Sequence, residues 1–167
     1  MDEFLDCSDS LPKELALVLL HRKMSFSVAE SCSGGLISHR ITQLPGASKF
    51  FLGGVVAYSN YLKTVFLNVD SEVLDIHGAV SEPVALAMVK GVLTVSKSDI
   101  ACAVTGVAGP GGGSVEKPVG LVYIAVASQT DAVCEKCHFT GVREVIKQKV
   151  SNESFNLVLK FLKKHHG

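Results

Sequence analysis

A chain of 167 residues, 47% hydrophobic and 19% charged, carries enough apolar material for one sizeable core, and nothing in it suggests a second domain. Its 16 basic and 16 acidic side chains balance, so no overall field draws it to a polyanion such as DNA, and nucleic-acid partners are not expected. No apolar stretch reaches the roughly 18 residues of a membrane-spanning helix, Asp2, Glu3 and Asp6 give the amino terminus the wrong polarity for a secretory leader, and an odd set of five irregularly placed cysteines fits reduced thiols in a cytoplasmic protein.

Ser10 and Pro12 open a first amphipathic helix, with Leu15, Val18 and Leu19 at helical spacing up to about His21. Ser25 to Ala29 alternates like a strand, and Gly34-Gly35 then leads into a helix carrying Leu36, Ile37, His39, Arg40 and Ile41. After Pro45-Gly46, a second strand over Gly53 to Tyr58 is followed by Ser59-Asn60, a cap for a helix from about Tyr61 with Lys63 in its first turn. Ser81-Glu82-Pro83 starts a helix with Ala85, Met88, Val92 and Val95 on one face, followed by a strand over Ile100 to Val104. Thr105 to Gly113 is too glycine-rich for either element. Val119 to Val126 resumes as an apolar strand, Ala132 to His138 as an antiparallel one, and a long helix from Val142 carries Val145, Ile146, Val150, Val158, Phe161 and Leu162, with a break near Asn152. Apolar strands covered by amphipathic helices predict a three-layer α/β/α sandwich, its sheet mixed but mostly parallel with about five strands, in one domain over residues 1–167.

In such a sheet, ligands bind outside the carboxyl ends of the parallel strands. Three loops there are rich in chemistry: Glu30 to Gly35, Tyr58 to Lys63, and Thr105 to Gly113. Ser31, where a strand becomes a helix, is placed as a nucleophile with backbone N–H groups nearby, although Ser31 or Ser33 serves equally as a helix cap. Glu30 could orient a base or cap. A serine nucleophile needs a base. His21 and His39 fall on helices, His138 on a late strand and His165 and His166 at the tail, which leaves His77 in a loop. Lysine is the other base for serine when burial lowers its pKa, and Lys63 follows a strand that ends beside the Ser31 loop. The Gly109 to Gly113 run leaves N–H groups uncovered, as anion nests require, but matches neither the phosphate-loop nor the dinucleotide pattern. Cys134 and Cys137, beside His138, have metal-ligand spacing without a second pair and read as strand residues.

The motifs Ala29-Glu30-Ser31-Cys32-Ser33-Gly34-Gly35, Tyr58-Ser59-Asn60 with Lys63, His77-Gly78-Ala79-Val80-Ser81, and Thr105 to Gly112 with Lys117-Pro118-Val119-Gly120 resemble the carboxy-terminal domain of the CinA family. The resemblance runs from about Leu15 to the last helix. It implies an amidohydrolase that converts nicotinamide mononucleotide to nicotinic acid mononucleotide and ammonia for pyridine-nucleotide recycling, with no metal or organic cofactor, in a homodimer. It also implies a serine–lysine core, Ser31 and Lys63, with Tyr58 and Thr105 around it. The catalytic set expected is therefore Ser31, Lys63 and Tyr58. The substrate-binding set is Ser33, Gly34, Gly35, Asn60, Thr105, Gly106, Gly109, Gly111, Gly112 and Arg143. The family's usual threonine is Ser33 here, and Tyr61 stands where many relatives carry a charge. Longer relatives add an amino-terminal domain resembling molybdopterin-binding proteins, with its own pyrophosphatase activity, for which 167 residues leave no room. A module that binds a nucleotide without turnover, and an enzyme with Ser33 as nucleophile, are the alternatives.

Overall fold

The central strands of the computed structural model, which describes residues 9–165, are buried on both faces, and helices accordingly cover both. In chain order the elements are α1 (Ser10–Arg22), β1 (Phe26–Glu30), α2 (Leu36–Thr42), β2 (Phe51–Val56), α3 (Asn60–Leu67), α4 (Ser71–His77), α5 (Glu82–Ser96), β3 (Ile100–Gly106), β4 (Leu121–Ala127), β5 (Ala132–His138) and α6 (Arg143–His165). The sheet order is β2-β1-β3-β4-β5. β1 runs parallel to β2 and β3, and β4 runs antiparallel to β3 and β5. Two reversals return β5 to the direction of β1, so β4 is the opposed strand among those described.

Alternation along the strands separates two cores. Phe26, Val28, Ile100, Cys102, Val104, Val122, Ile124 and Val126 pack against α1, α2 and α6. Ala29, Ala101, Ala103, Ala125 and Ala127 pack against α3, α4 and α5. The second face is nearly all alanine, so α5 can lie close to the sheet. On α5 itself, Gly91 lets α3 approach, because a Cβ there would collide with the Leu67 carbonyl. No described helix is long and apolar enough to cross a membrane.

Several sequence expectations need correction. Thr105 and Gly106 belong to β3, where they pair with Tyr123 and Val122, and the packing of Leu121 and Val122 leaves no space for a side chain at Gly106. The resumed strand begins at Leu121, after Val119 and Gly120. α4 is an additional short helix, and His77 is its last residue instead of a loop residue. α6 is unbroken: the Asn152 side chain accepts from Arg40 Nη1 at 2.8 Å, so it does not compete for its own helix backbone. Val95 and Val145, placed by periodicity on buried faces, are 62% and 42% exposed. Asp2, Glu3, Asp6, Cys7 and His166 lie outside the described residues.

Candidate active site

Phe26, Val28 and Glu30 share one face of β1, and that parity aims the Glu30 side chain at α2. Its carboxylate is fully buried and accepts five hydrogen bonds. Oε2 takes Ser33 Oγ at 2.7 Å and the N–H groups of Gly35 and Ile37 at 2.9 and 3.1 Å. Oε1 takes Ser38 N at 2.9 Å and Ser38 Oγ at 2.7 Å. Glu30 is thus the cap of α2, supplied from the preceding strand, because the residue at the cap position, Gly35, has no side chain to do it. The Gly34 N–H closes the turn on the Ser31 carbonyl at 3.1 Å, with Gly34 at φ +62° and Gly35 at φ +93°.

This wiring separates the two serines. Ser33 Oγ is fully buried and donates to Glu30. Ser31 extends the parallel ladder by one residue, its N–H donating to Val104 O at 3.1 Å, so its side chain alternates to the same face as Ala29, the face on which α3 packs. Among the described residues no side-chain hydrogen bond engages the Ser31 hydroxyl, and the N–H groups of Cys32 and Ser33 have the Cys32 sulfur, a weak acceptor, as their partner. The N–H groups of Gly34 and Gly35, expected to face an anion, are already bonded within the protein.

Lys63 comes to the same corner from α3. Ser59 caps that helix by accepting from Leu62 N at 3.2 Å, as the sequence suggested. The Lys63 side chain is 1% exposed and its Nζ donates to the carbonyls of Ala57 at 3.0 Å and Tyr58 at 3.4 Å. No carboxylate pairs with it among the described residues. Ala57 itself donates to Glu30 O at 2.9 Å, so the carbonyl that accepts from Lys63 belongs to a residue bonded to the end of β1, one position before Ser31. Burial lowers the Lys63 pKa from its ordinary value, with the Cys32 thiol opposing, and burial pushes the Cys32 thiol up to about 12. A neutral lysine amine has two N–H donors and one lone pair. With both donors spent on carbonyls, the lone pair is left to accept a proton.

Because the folded-state pKa of Lys63 is lowered, the unfolded chain binds the proton more tightly, and protonation at this site opposes folding. Between the folded value and the ordinary 10.5, wild-type stability should therefore rise with pH relative to Lys63→Met. Urea unfolding of both proteins across that range checks this, and a pH-independent difference contradicts it.

Arg143, at the start of α6, ties the loops together. Its Nη1 donates to Gly109 O at 2.8 Å and its Nη2 to the Tyr58 hydroxyl at 2.8 Å. Tyr58 is 57% exposed, so its hydroxyl is held by Arg143 while its carbonyl supports Lys63. Thr105 is buried, and its hydroxyl donates to Ala79 O at 2.7 Å, fastening the segment before α5 to β3. Asn60 is an exposed first residue of α3. Gly109 is buried under the Arg143 contact, whereas Gly111 and Gly112 are exposed. Cys134 and Cys137 belong to opposite cores, so they cannot grip one ion together. Sequence reasoning missed Lys147, whose signal was its place one helical turn after Arg143.

Residues 8–162 match the family model described as the CinA C-terminal domain. A CinA-like protein of Desulfotalea psychrophila is 42% identical over 154 residues, 92% of this chain and 37% of its own length. Another, from Geotalea uraniireducens, is 46% identical over 144 residues, 86% of this chain and 34% of its own. The crystal structure of competence damage-inducible protein A from Klebsiella pneumoniae superposes with a TM-score of 0.91 at 32% identity, covering 95% of this chain and 98% of that one. That of a competence/damage inducible protein from Agrobacterium tumefaciens gives 0.89 at 35% identity, covering 90% and 93%. Fold and site define an α/β/α protein with a serine and a buried lysine at the carboxyl edge of its parallel strands. The chain belongs to the CinA C-terminal domain family. It spans less than two fifths of the length of the two CinA-like relatives, and the names of the two solved structures speak of competence and damage and not of a reaction.

Proposed function

We propose that this chain is an amidohydrolase that removes the amide nitrogen of nicotinamide mononucleotide through a Ser31–Lys63 pair. The observation that carries the reading is Lys63: a buried amine with no carboxylate partner, two carbonyls taking its N–H groups, and a pKa lowered by burial. Such a group costs stability, and a proton-accepting role beside Ser31 accounts for its retention. The substrate comes from the resemblance of the Ser31, Lys63 and glycine-loop motifs to the deamidases of the family.

In the proposed reaction, Lys63 Nζ takes the Ser31 hydroxyl proton as Oγ bonds to the carboxamide carbon. The N–H groups of Cys32 and Ser33, which otherwise have only the weakly accepting Cys32 sulfur, turn to hold the resulting oxyanion. The Gly34 N–H cannot serve in their place, since it is bonded to Ser31 O. As the C–N bond breaks, Lys63 returns the proton to the leaving nitrogen and ammonia departs. Water then attacks the ester, giving its proton to Lys63, which passes it to Ser31 Oγ as the acyl C–O bond breaks and the carboxylic acid leaves. Ser33 fits the nucleophile's role less well, because its hydroxyl is spent on Glu30.

The test is ammonia release from nicotinamide mononucleotide by the purified chain, with nicotinic acid mononucleotide formed in equal amount. Tight binding of the nucleotide without release would make the protein a binding module and overturn the reading.

A further inference from the structure

One cavity beside the nucleophile's turn has no part in the chemistry above. It measures about 460 Å³ and is lined by Leu36, Arg143, Glu144, Lys147 and Gln148. Lys147 Nζ lies over Gly34, 3.5 Å from where a Cβ on that residue would stand, so the cavity shares a wall with the turn that begins at Ser31.

The charges around it are unspent. Arg143 gives N–H groups to the Gly109 carbonyl and the Tyr58 hydroxyl, both neutral acceptors, and a guanidinium has five donors in all. Among the described residues neither Arg143 nor Lys147 forms an ion pair. Glu144 supplies one carboxylate to the lining, against two cations. Arg143 and Lys147 are one helical turn apart on α6, so both side chains reach the same side of the helix.

We propose that this cavity receives the phosphate monoester of the substrate, with Lys147 as the residue that reads its charge and Arg143 tying it to the Tyr58 and Gly109 loops; the proposal rests on the amidohydrolase reading. The α2 backbone cannot do this work, because Glu30 already occupies the N–H groups of Gly35, Ile37 and Ser38. Side-chain cations are the donors left on that wall. Lys147 is half-buried, so an ion pair there is partly shielded from water.

The experiment compares nicotinamide mononucleotide with nicotinamide riboside, which lacks the phosphate, as substrates of wild type, Lys147→Ala and Lys147→Arg. Lys147→Ala should raise KM for the mononucleotide about tenfold to a hundredfold, the range of a lost charge-assisted hydrogen bond, with kcat little changed. Its kcat/KM for the riboside should stay at the wild-type value, and Lys147→Arg should recover most of the loss. Equal losses on both substrates, or none on either, would overturn the proposal. If neither compound is hydrolysed by wild type, the amidohydrolase reading fails on its own. Calorimetric binding of nicotinic acid mononucleotide against nicotinic acid riboside then decides the subsite: a loss in Lys147→Ala confined to the phosphorylated ligand upholds it, and any other pattern overturns it.

Discussion

Lys63→Arg is expected to abolish turnover of nicotinamide mononucleotide while leaving the protein folded. A guanidinium keeps its proton at any workable pH, so it cannot accept one from Ser31, although its positive charge would still attract a substrate phosphate. Ser31→Ala and Lys63→Ala should each reduce kcat by on the order of a thousandfold or more, and the double variant should be little worse than either, because the two groups act as a unit. Steady-state kinetics on the four proteins, with circular dichroism as the folding control, checks this. Near-normal turnover in Lys63→Arg would reduce Lys63 to a charge that attracts substrate.

Glu30→Gln is expected to cost about 2–4 kcal/mol of folding stability, although it changes a single atom type. All five groups around the carboxylate donate to it, three of them main-chain N–H groups. The hydroxyls of Ser33 and Ser38 can reverse and accept, but a main-chain N–H cannot. Whichever way the amide turns, its NH₂ faces Ser38 N, or Gly35 N and Ile37 N, and leaves them buried without an acceptor. Because the same carboxylate shapes the Ser31 to Gly35 turn, activity should fall with stability. Chemical denaturation checks the first effect, and a midpoint equal to wild type would contradict the hub assigned to Glu30.

The layering was legible in the sequence because apolar periodicity is a local property: α1 begins at Ser10, β5 spans Ala132–His138 and Ser59 caps α3 as the pattern suggested. What was not legible depends on partners far along the chain. Nothing near β4 announces that it runs against β3, since strand direction follows from how the connection after Gly106 folds back. Thr105 and Gly106 carry loop-like composition and become strand only because β4 supplies the other half of the ladder. At the site, the three loops were found from their composition and their places at strand ends. The division of labour within the first could not be, because Ser31, Ser33 and Glu30 differ by which way each points, and that is set by the parity of β1 and the position of α2.

Trapping the covalent intermediate tests the Ser31–Lys63 mechanism most directly. Wild-type protein mixed with excess nicotinamide mononucleotide, quenched in acid within the first turnover and mapped by peptide mass spectrometry, should carry the nicotinic acid mononucleotide acyl group as an ester on Ser31. The adduct should be absent from Ser31→Ala treated in the same way. An adduct on Cys32 or Ser33, or undiminished ammonia release by Ser31→Ala, would contradict the mechanism.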